Sequence, residues 1–371
     1  VTLYLNYYDP EHHSVLKHST ALEKGRIGTV NLFASQKYSQ TDKVVLVHEL
    51  HRPLDTWLLD RFFPNTRGFA RDEVPVAELS AEIDIAPLVA PTKAGKPFDP
   101  KTLTKADFVK PAYLKPKNQV TTSNSFDLAL VRKLREAKIL ATGSQALSDQ
   151  EKLILAQIET IQRNRNSIDN RKVLMAAEYL TTGQMVLESD DYKRNVVSYG
   201  RDPSLSYNPT IAWDQANATP YKDIKAMAQR LVDTGAGTAK VLLTSSKNWG
   251  YLKADPGFQA EYIKPNEGIN IPFEQTMGIG ESAVFRGTFD NIEVWTYDAT
   301  YVRDGVRTRY IPSGYVGLIA DVSGFVAQCQ IKHLEAAGQP LDYFDVQWQE
   351  KDPSAIQVLT ESAPLPVPSN K

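Results

Sequence analysis

Several short motifs in this sequence carry residue types that could do chemistry. His48-Glu49-Leu50-His51 is close to a zinc-protease motif, but that motif needs its histidines four residues apart to face one metal. Here they are three apart, and Pro53 close behind works against the helix such a site requires. His12, His13 and His18 read as an exposed cluster rather than a metal site. Gly278-Ile279-Gly280-Glu281-Ser282-Ala283 has the G-x-G-x-x-A form, yet it leads into strands instead of joining a strand to a helix, so it reads as a loop. Thr244-Ser245-Ser246-Lys247 resembles a penicillin-binding S-x-x-K, but it opens with Thr and its setting reads as a capped turn. Asp190-Asp191 sits at a hairpin bend. The single cysteine, Cys329, lies in the apolar stretch 322–331 and reads as a small core residue. With no P-loop and no Ser-His-Asp set, we expect no enzyme, no cofactor and no metal.

The elements around these motifs are long and extended. Ser148-Asp149-Gln150-Glu151 has the S-x-x-E form of a capping box, and Gly183 suits a helix C-terminus, so the spacing predicts one helix over 148–183. Its best apolar stripe is Ile154, Ile158, Ile161, Ile168, Met175 and Tyr179, broken by Arg165 and Lys172. So narrow a stripe predicts one edge packed on a sheet and the remaining faces left to water or neighbours. Residues 54–63 read as a short helix stopped by Pro64. Leu79, Ala81, Ile83 and Ile85 alternate with Ser80, Glu82 and Asp84, a half-buried strand. Residues 109–120 return as a second arm, with 91–105 as the exposed tip of a β-ribbon. Pro111 and Pro116 place that arm at a sheet edge. Further along, 184–188 and 192–199 predict a hairpin, Pro220 opens a helix, and 239–244 is a buried strand. Residues 292–301 and 306–312 read as strands joined at Asp304-Gly305, with another at 316–319. The tail from Pro364 onward reads as coil.

The chain is long enough for two or three cores. Its net charge of −2 gives no strong pull toward nucleic acid or anionic membrane. One cysteine excludes an intramolecular disulfide, and no apolar run approaches a membrane span. No charged-then-apolar signal segment opens the sequence, so a cytosolic or virion compartment is expected.

Residues 109–120 (Val-Lys-Pro-Ala-Tyr-Leu-Lys-Pro-Lys-Asn-Gln-Val) resemble the second ribbon arm of the lambda-like phage major capsid protein family. Similar too are the 54–63 helix with the strand ending at Pro91, and Val197-Ser198-Tyr199-Gly200-Arg201 after the long helix. Trp213 before the Thr219 helix, the turn Tyr301-Val302-Arg303-Asp304-Gly305-Val306 and the closing Asp352-Pro353 and Ser362-Ala363-Pro364-Leu365 complete an ordered set over roughly 54–371. The first fifty or so residues are longer than the family pattern.

The resemblance implies an α+β chain with the tailed-phage (Hong Kong 97-type) capsid fold. It implies an N-terminal arm at 1–52, a short peripheral-domain helix at 53–67 and an extended β-ribbon loop at 68–122. A peripheral domain at 123–218 with a spine helix at 148–183, an axial domain at 219–339 and a C-terminal return at 340–371 follow. The implied function is a major capsid protein that self-assembles as pentamers and hexamers into the icosahedral shell enclosing phage DNA. Implied partners are portal, scaffolding and decoration proteins and non-specifically packaged double-stranded DNA, with no membrane, in a virion assembled in the host cytoplasm. Charged residues expected to meet neighbouring copies are Glu82, Asp84, Lys110, Lys115, Lys117, Arg163, Arg165 and Arg171. No cross-linking lysine–asparagine pair is predicted. Two competing readings are an encapsulin-like nanocompartment shell protein and a soluble hydrolase.

Overall fold

The computed structural model describes residues 5–8, 15–18, 55–77, 106–121, 149–189, 192–263, 282–303, 305–320, 323–352 and 354–368. In chain order the first elements are β1 (Leu5–Tyr8), β2 (Val15–His18), α1 (Trp57–Phe62), β3 (Asn65–Phe69), β4 (Val74–Ala77), β5 (Ala106–Val109) and β6 (Lys117–Val120). Next come α2 (Asp149–Thr182), β7 (Gln184–Ser189), β8 (Tyr192–Ser198), α3 (Pro220–Asp233), β9 (Val241–Thr244), α4 (Ser246–Ala254), α5 (Pro256–Glu261) and β10 (Tyr262–Ile263). The rest are strands: β11 (Ala283–Phe289), β12 (Ile292–Tyr297), β13 (Thr300–Arg303), β14 (Val306–Arg309), β15 (Val316–Ile319), β16 (Phe325–Cys329), β17 (Phe344–Lys351), β18 (Ser354–Glu361) and β19 (Pro364–Val367). The α+β class holds.

Two compact units divide the chain. The smaller comprises residues 1–50, 119–160 and 348–358. In it β1 and β2 pair antiparallel, Leu5 opposite His18 and Tyr8 opposite Val15. Near its C-terminal segment Gln357 donates to the Glu350 carboxylate at 2.7 Å.

The larger unit comprises 51–118, 161–347 and 359–371. Its mixed sheet runs β10-β11-β12-β9-β15, with β12 parallel to β9 and the other pairings antiparallel. The period of two along β9 explains how this sheet is covered on both faces. Leu242 turns toward Ile224 of α3, Leu252 of α4 and Phe258 of α5. Val241 and Leu243 turn the other way, into a core with Trp57, Trp295, Tyr297, Met175 and Tyr179. Trp57 packs against a tilted Trp295 ring and stacks on Tyr297, with centroids 4.9 and 5.6 Å away, which anchors the short α1 by aromatic packing.

The long helix ends as its sequence dictates. Gly183 has φ +75, and its amide bonds the Tyr179 carbonyl at 2.8 Å. The last turn of α2 carries no basic residue of its own. Arg201 supplies that charge from beyond β8, donating to the Tyr179 carbonyl at 2.7 Å and to Leu180 at 3.1 Å. The expected cap at Ser148 lies outside the described residues, as do the strand at 79–85 and the tip at 91–105.

Other expectations need revision. Residues 292–301 form two strands rather than one. β12 stays in the large sheet, while β13 pairs with β14 as a separate hairpin, Arg303 opposite Val306. The tail is ordered: β19 pairs antiparallel with β16, which runs parallel to β3 on its other side. Cys329 donates its amide to Ala363, so the odd residues of β19 face β16 and Pro364 and Pro366 face outward. The hydroxyl of Tyr199 donates to the outward carbonyl of Pro366 at 2.7 Å.

The base of the ribbon is present, with β4 antiparallel to β5 and Val74 opposite Val109. Beyond Val109 the second arm leaves its partner. Leu114 and Ser362 exchange backbone hydrogen bonds of 2.8 and 3.0 Å, and β6 is the outer strand of the sheet β17-β18-β6. The edge position expected from Pro111 and Pro116 therefore holds, but the arm's partners are β18 and Ser362 just beyond it.

Gly183→Ala should destabilise the protein by about 1–3 kcal/mol. The added Cβ meets Arg201 Cβ at 2.9 Å from a positive-φ backbone, and urea denaturation will measure the loss.

Candidate functional site

A helix as polar as α2 should leave much of its surface wet. Instead, between positions 156 and 180 only Arg163 and Ser167 are exposed. The faces expected to be left to water or neighbours are instead covered by the chain itself, because the charged residues that interrupt the apolar stripe are themselves paired. Arg165, Asp169 and Lys172 follow at i, i+4 and i+7, one face of the helix. Arg165 donates twice to Asp345 Oδ2, at 2.5 and 3.1 Å, and the two side chains are only 5% and 3% exposed. Thr360 occupies the other Asp345 oxygen at 2.6 Å. Lys172 donates to Asp342 at 2.6 Å and lies 3.2 Å from Asp169.

Tyr343 closes this cluster. Its hydroxyl donates to Asp169, and its ring lies 4.4 Å from the Lys172 ammonium and 5.1 Å from the Arg165 guanidinium. Burial, then the Asp342 and Asp169 charges, raise the Tyr343 hydroxyl above its ordinary range and keep it a proton donor. Gln328 adds a bond to Asp342 at 2.6 Å. The network ties the long helix to residues 342–345 and to the strands behind them. Its chemistry is structural: every member is committed to another.

A second cluster holds the returning ribbon arm. The Tyr113 hydroxyl donates to Glu361 at 2.5 Å and accepts from the Lys332 amide at 2.7 Å. Lys115 lies 3.1 Å from the same carboxylate, which is 1% exposed, and 5.0 Å from the Tyr113 ring.

The charged residues singled out from sequence are thus scattered. Lys110 pairs with Glu73 at 3.4 Å between the segments that carry β5 and β4. Lys115 turns to Glu361 at the end of β18. Arg165 is enclosed within its own chain. Arg163 and Lys117 are exposed, and Arg171 is half-buried. Glu82 and Asp84 lie outside the described residues. Asp342, Tyr343 and Asp345 went unnoticed in sequence; the signal available was that Arg165 and Lys172 share a helix face with Asp169.

Of the candidate chemical motifs, Ser245 caps α4 by accepting from the Asn248 amide at 3.2 Å, and Lys247 sits inside that helix. Burial, then the Asp72 charge, push the Cys329 thiol up to about 12. His12, His13, His48, His51, Asp190, Asp191 and Gly278–Glu281 lie outside the described residues. The described residues do expose apolar side chains: Val302 (62%) and Val306 on the β13–β14 hairpin, and Phe108 (55%) on the ribbon.

Arg165→Ala should cost about 3–5 kcal/mol, because it leaves Asp345 charged and buried. Replacing Arg165 and Asp345 together by apolar residues should recover much of that loss in denaturant melts. Glu178 accepts from the Val186 amide at 3.1 Å, yet burial outweighs this bond and the Arg171 and Arg303 charges, raising its carboxyl above the usual value. A raised folded-state value means the group favours folding while protonated and loses that contribution as pH rises through it. Glu178→Gln should therefore stabilise the protein near neutrality, the gain vanishing below about pH 4, where the carboxyl is protonated folded or unfolded.

Comparison with known proteins agrees with this architecture. The sequence model of phage major capsid protein E matches residues 45–371. The P21 prophage-derived major head protein of Escherichia coli O6:H1 (strain CFT073) is 20% identical over 323 residues, covering 83% of this chain and 90% of that protein. The major capsid protein of Enterobacteria phage P21 aligns equally, again at 20% identity. The crystal structure of a prophage capsid protein from E. coli CFT073 superposes with a TM-score of 0.64 at 19% identity, covering 88% of this chain and 95% of that one. No described helix is long and apolar enough to cross a membrane. The chain belongs to the phage major capsid protein E family and is a phage major capsid protein.

Proposed function

We propose that this capsid protein assembles as pentamers and hexamers into an icosahedral, Hong Kong 97-type shell around double-stranded DNA. Residues 1–52 serve as an N-terminal arm, and 53–67 open the peripheral domain. The ribbon loop spans 68–122, and the rest of the peripheral domain 123–218. Residues 219–339 gather around the symmetry axes, and 340–371 return to the periphery. Portal, scaffolding and decoration proteins are its partners, and assembly takes place in the host cytoplasm.

The observation that carries this reading is the ribbon base. β4 and β5 pair with each other, and the exposed Phe108 and Val302 remain for another molecule to cover. A two-stranded ribbon is marginal in water, so it gains from a neighbour. Head-to-tail contacts that close around an axis produce rings. Lys110, Lys115, Lys117, Arg163 and Arg171, with Glu82 and Asp84, supply charges that fix register; Arg165 steadies the helix behind them. Exposed pairs of this kind contribute roughly 0–1 kcal/mol each, so the shell rests on many modest contacts.

Electron microscopy of the purified protein, or of cells expressing it with its phage partners, should show closed shells or capsomers. A chain that stays monomeric at high concentration would refute the proposal. Deleting residues 91–105 should leave a folded subunit, judged by circular dichroism, and reduce particle yield at least about tenfold; normal particles would remove the ribbon tip from the contact.

A further inference from the structure

The mixed sheet ends in β15, and no described strand lies beyond it. In an antiparallel pair alternate residues turn their amide and carbonyl away from the partner, so β15 keeps backbone donors and acceptors on its far side. A groove of about 410 Å³ runs along that side. Every residue from 314 to 320 lines it, although Val316 and Leu318 pack toward the α3 face of the sheet and Tyr315 and Ile319 toward the other. Side chains of a strand alternate between faces, so a surface that meets every residue in turn follows the strand's edge.

Leu205, Met227 and Pro368 wall the groove and, like Val316, Leu318 and Ile319, are only half-buried, so apolar surface is open to a newcomer. No carboxylate is among the described lining residues. Arg201 lines the groove, and Arg230 stands at its Ser206 end, donating to the Ser204 and Ser206 carbonyls at 3.1 and 3.0 Å. An open strand edge between apolar walls, beside two guanidinium groups, has the requirements of strand addition by an extended segment that is apolar and acidic.

The sequence between β10 and β11, residues 264–281, lies outside the described residues and contains such a segment. Ile269, Ile271 and Phe273 alternate with Asn270 and Pro272, flanked by Glu267 and Glu274 with no cation between them. It follows β10, which is the opposite edge of the same sheet from β15. Core packs on both faces of that sheet and stands between the segment and the β15 edge of its own chain. In a head-to-tail ring, by contrast, opposite edges of neighbouring copies face each other. Half the length of such an excursion reaches up to about 30 Å. We infer that residues 269–273 of a second copy add as a strand to the free edge of β15, with Ile269, Ile271 and Phe273 on Leu205 and Met227 and with Glu267 and Glu274 beside Arg201 and Arg230. Ile271 then bonds β15, while Pro272, which has no amide hydrogen, faces outward. The inference rests on the shell reading above and names one contact that passes from each subunit to the next. The backbone bonds supply affinity, and the charges reject an inverted register.

The test uses the full chain. Ser206 is exposed on the groove and Asn270 lies in the incoming segment. Particles co-assembled from Ser206→Cys chains and Asn270→Cys chains, treated with a short bis-maleimide, should give a cross-linked dimer on a denaturing gel. Particles of either variant alone should not. Mixed particles without that dimer overturn the groove assignment while leaving the shell reading intact, whereas wild-type chains that never form particles defeat the shell reading itself. A second arm needs no particles. Ile269→Ser, Ile271→Ser and Phe273→Ser together leave the groove of a chain free, with folding checked by circular dichroism. A fluorescein-labelled peptide of residues 266–275 should bind that chain saturably in an anisotropy titration, and adding Met227→Glu should weaken the binding at least about tenfold. No saturable binding, or equal affinity with Met227→Glu in a folded chain, overturns the assignment.

Discussion

Burying a polar helix is possible only when each of its charges finds an opposite charge at hydrogen-bonding distance. In α2 that condition is met by Arg165 with Asp345 and by Lys172 with Asp342 and Asp169. Coulomb attraction grows as water leaves, but so does the penalty for any charge left over. The result is an interaction that selects geometry more than it adds net stability. With these pairs in place, helix residues 161–182 can lie inside the larger unit and present Met175, Ala176 and Tyr179 to its core. Without them, a rod of this composition would be driven back to water, and the sheets around it would lose their common support.

The same logic connects the helix to its surroundings. Residues 342–345 are held from below by the helix charges and from behind by Gln328 and Thr360. The ribbon arm is held by Tyr113 and Lys115 on one buried carboxylate, Glu361. Each tie joins segments far apart in sequence through a charge-assisted bond, which is shorter and stronger than a neutral one.

Much of the fold was legible in the sequence because it is written locally. Gly183 marks the end of α2 by its left-handed backbone, Pro220 opens α3, and Ser245 caps α4. The hairpin of β7 and β8 follows from alternation alone. What stayed hidden depends on partners distant in the chain. Nothing near Arg165 in sequence announces Asp345, and nothing near Lys115 announces Glu361. The proline-rich tail misleads for a related reason: Pro364 and Pro366 look incompatible with a strand until β16 shows that only the odd residues must donate. The break after Tyr297 was missed because the run 292–301 keeps a strand-like composition across Asp298-Ala299.

The outer rim of β19 has a further consequence. Two prolines there offer no amide hydrogens, and the carbonyl of Pro366 is already taken by Tyr199. An incoming chain would find no amide donor at either proline along that rim. Such a sterile border guards against amyloid-like fibre growth by open-ended strand addition.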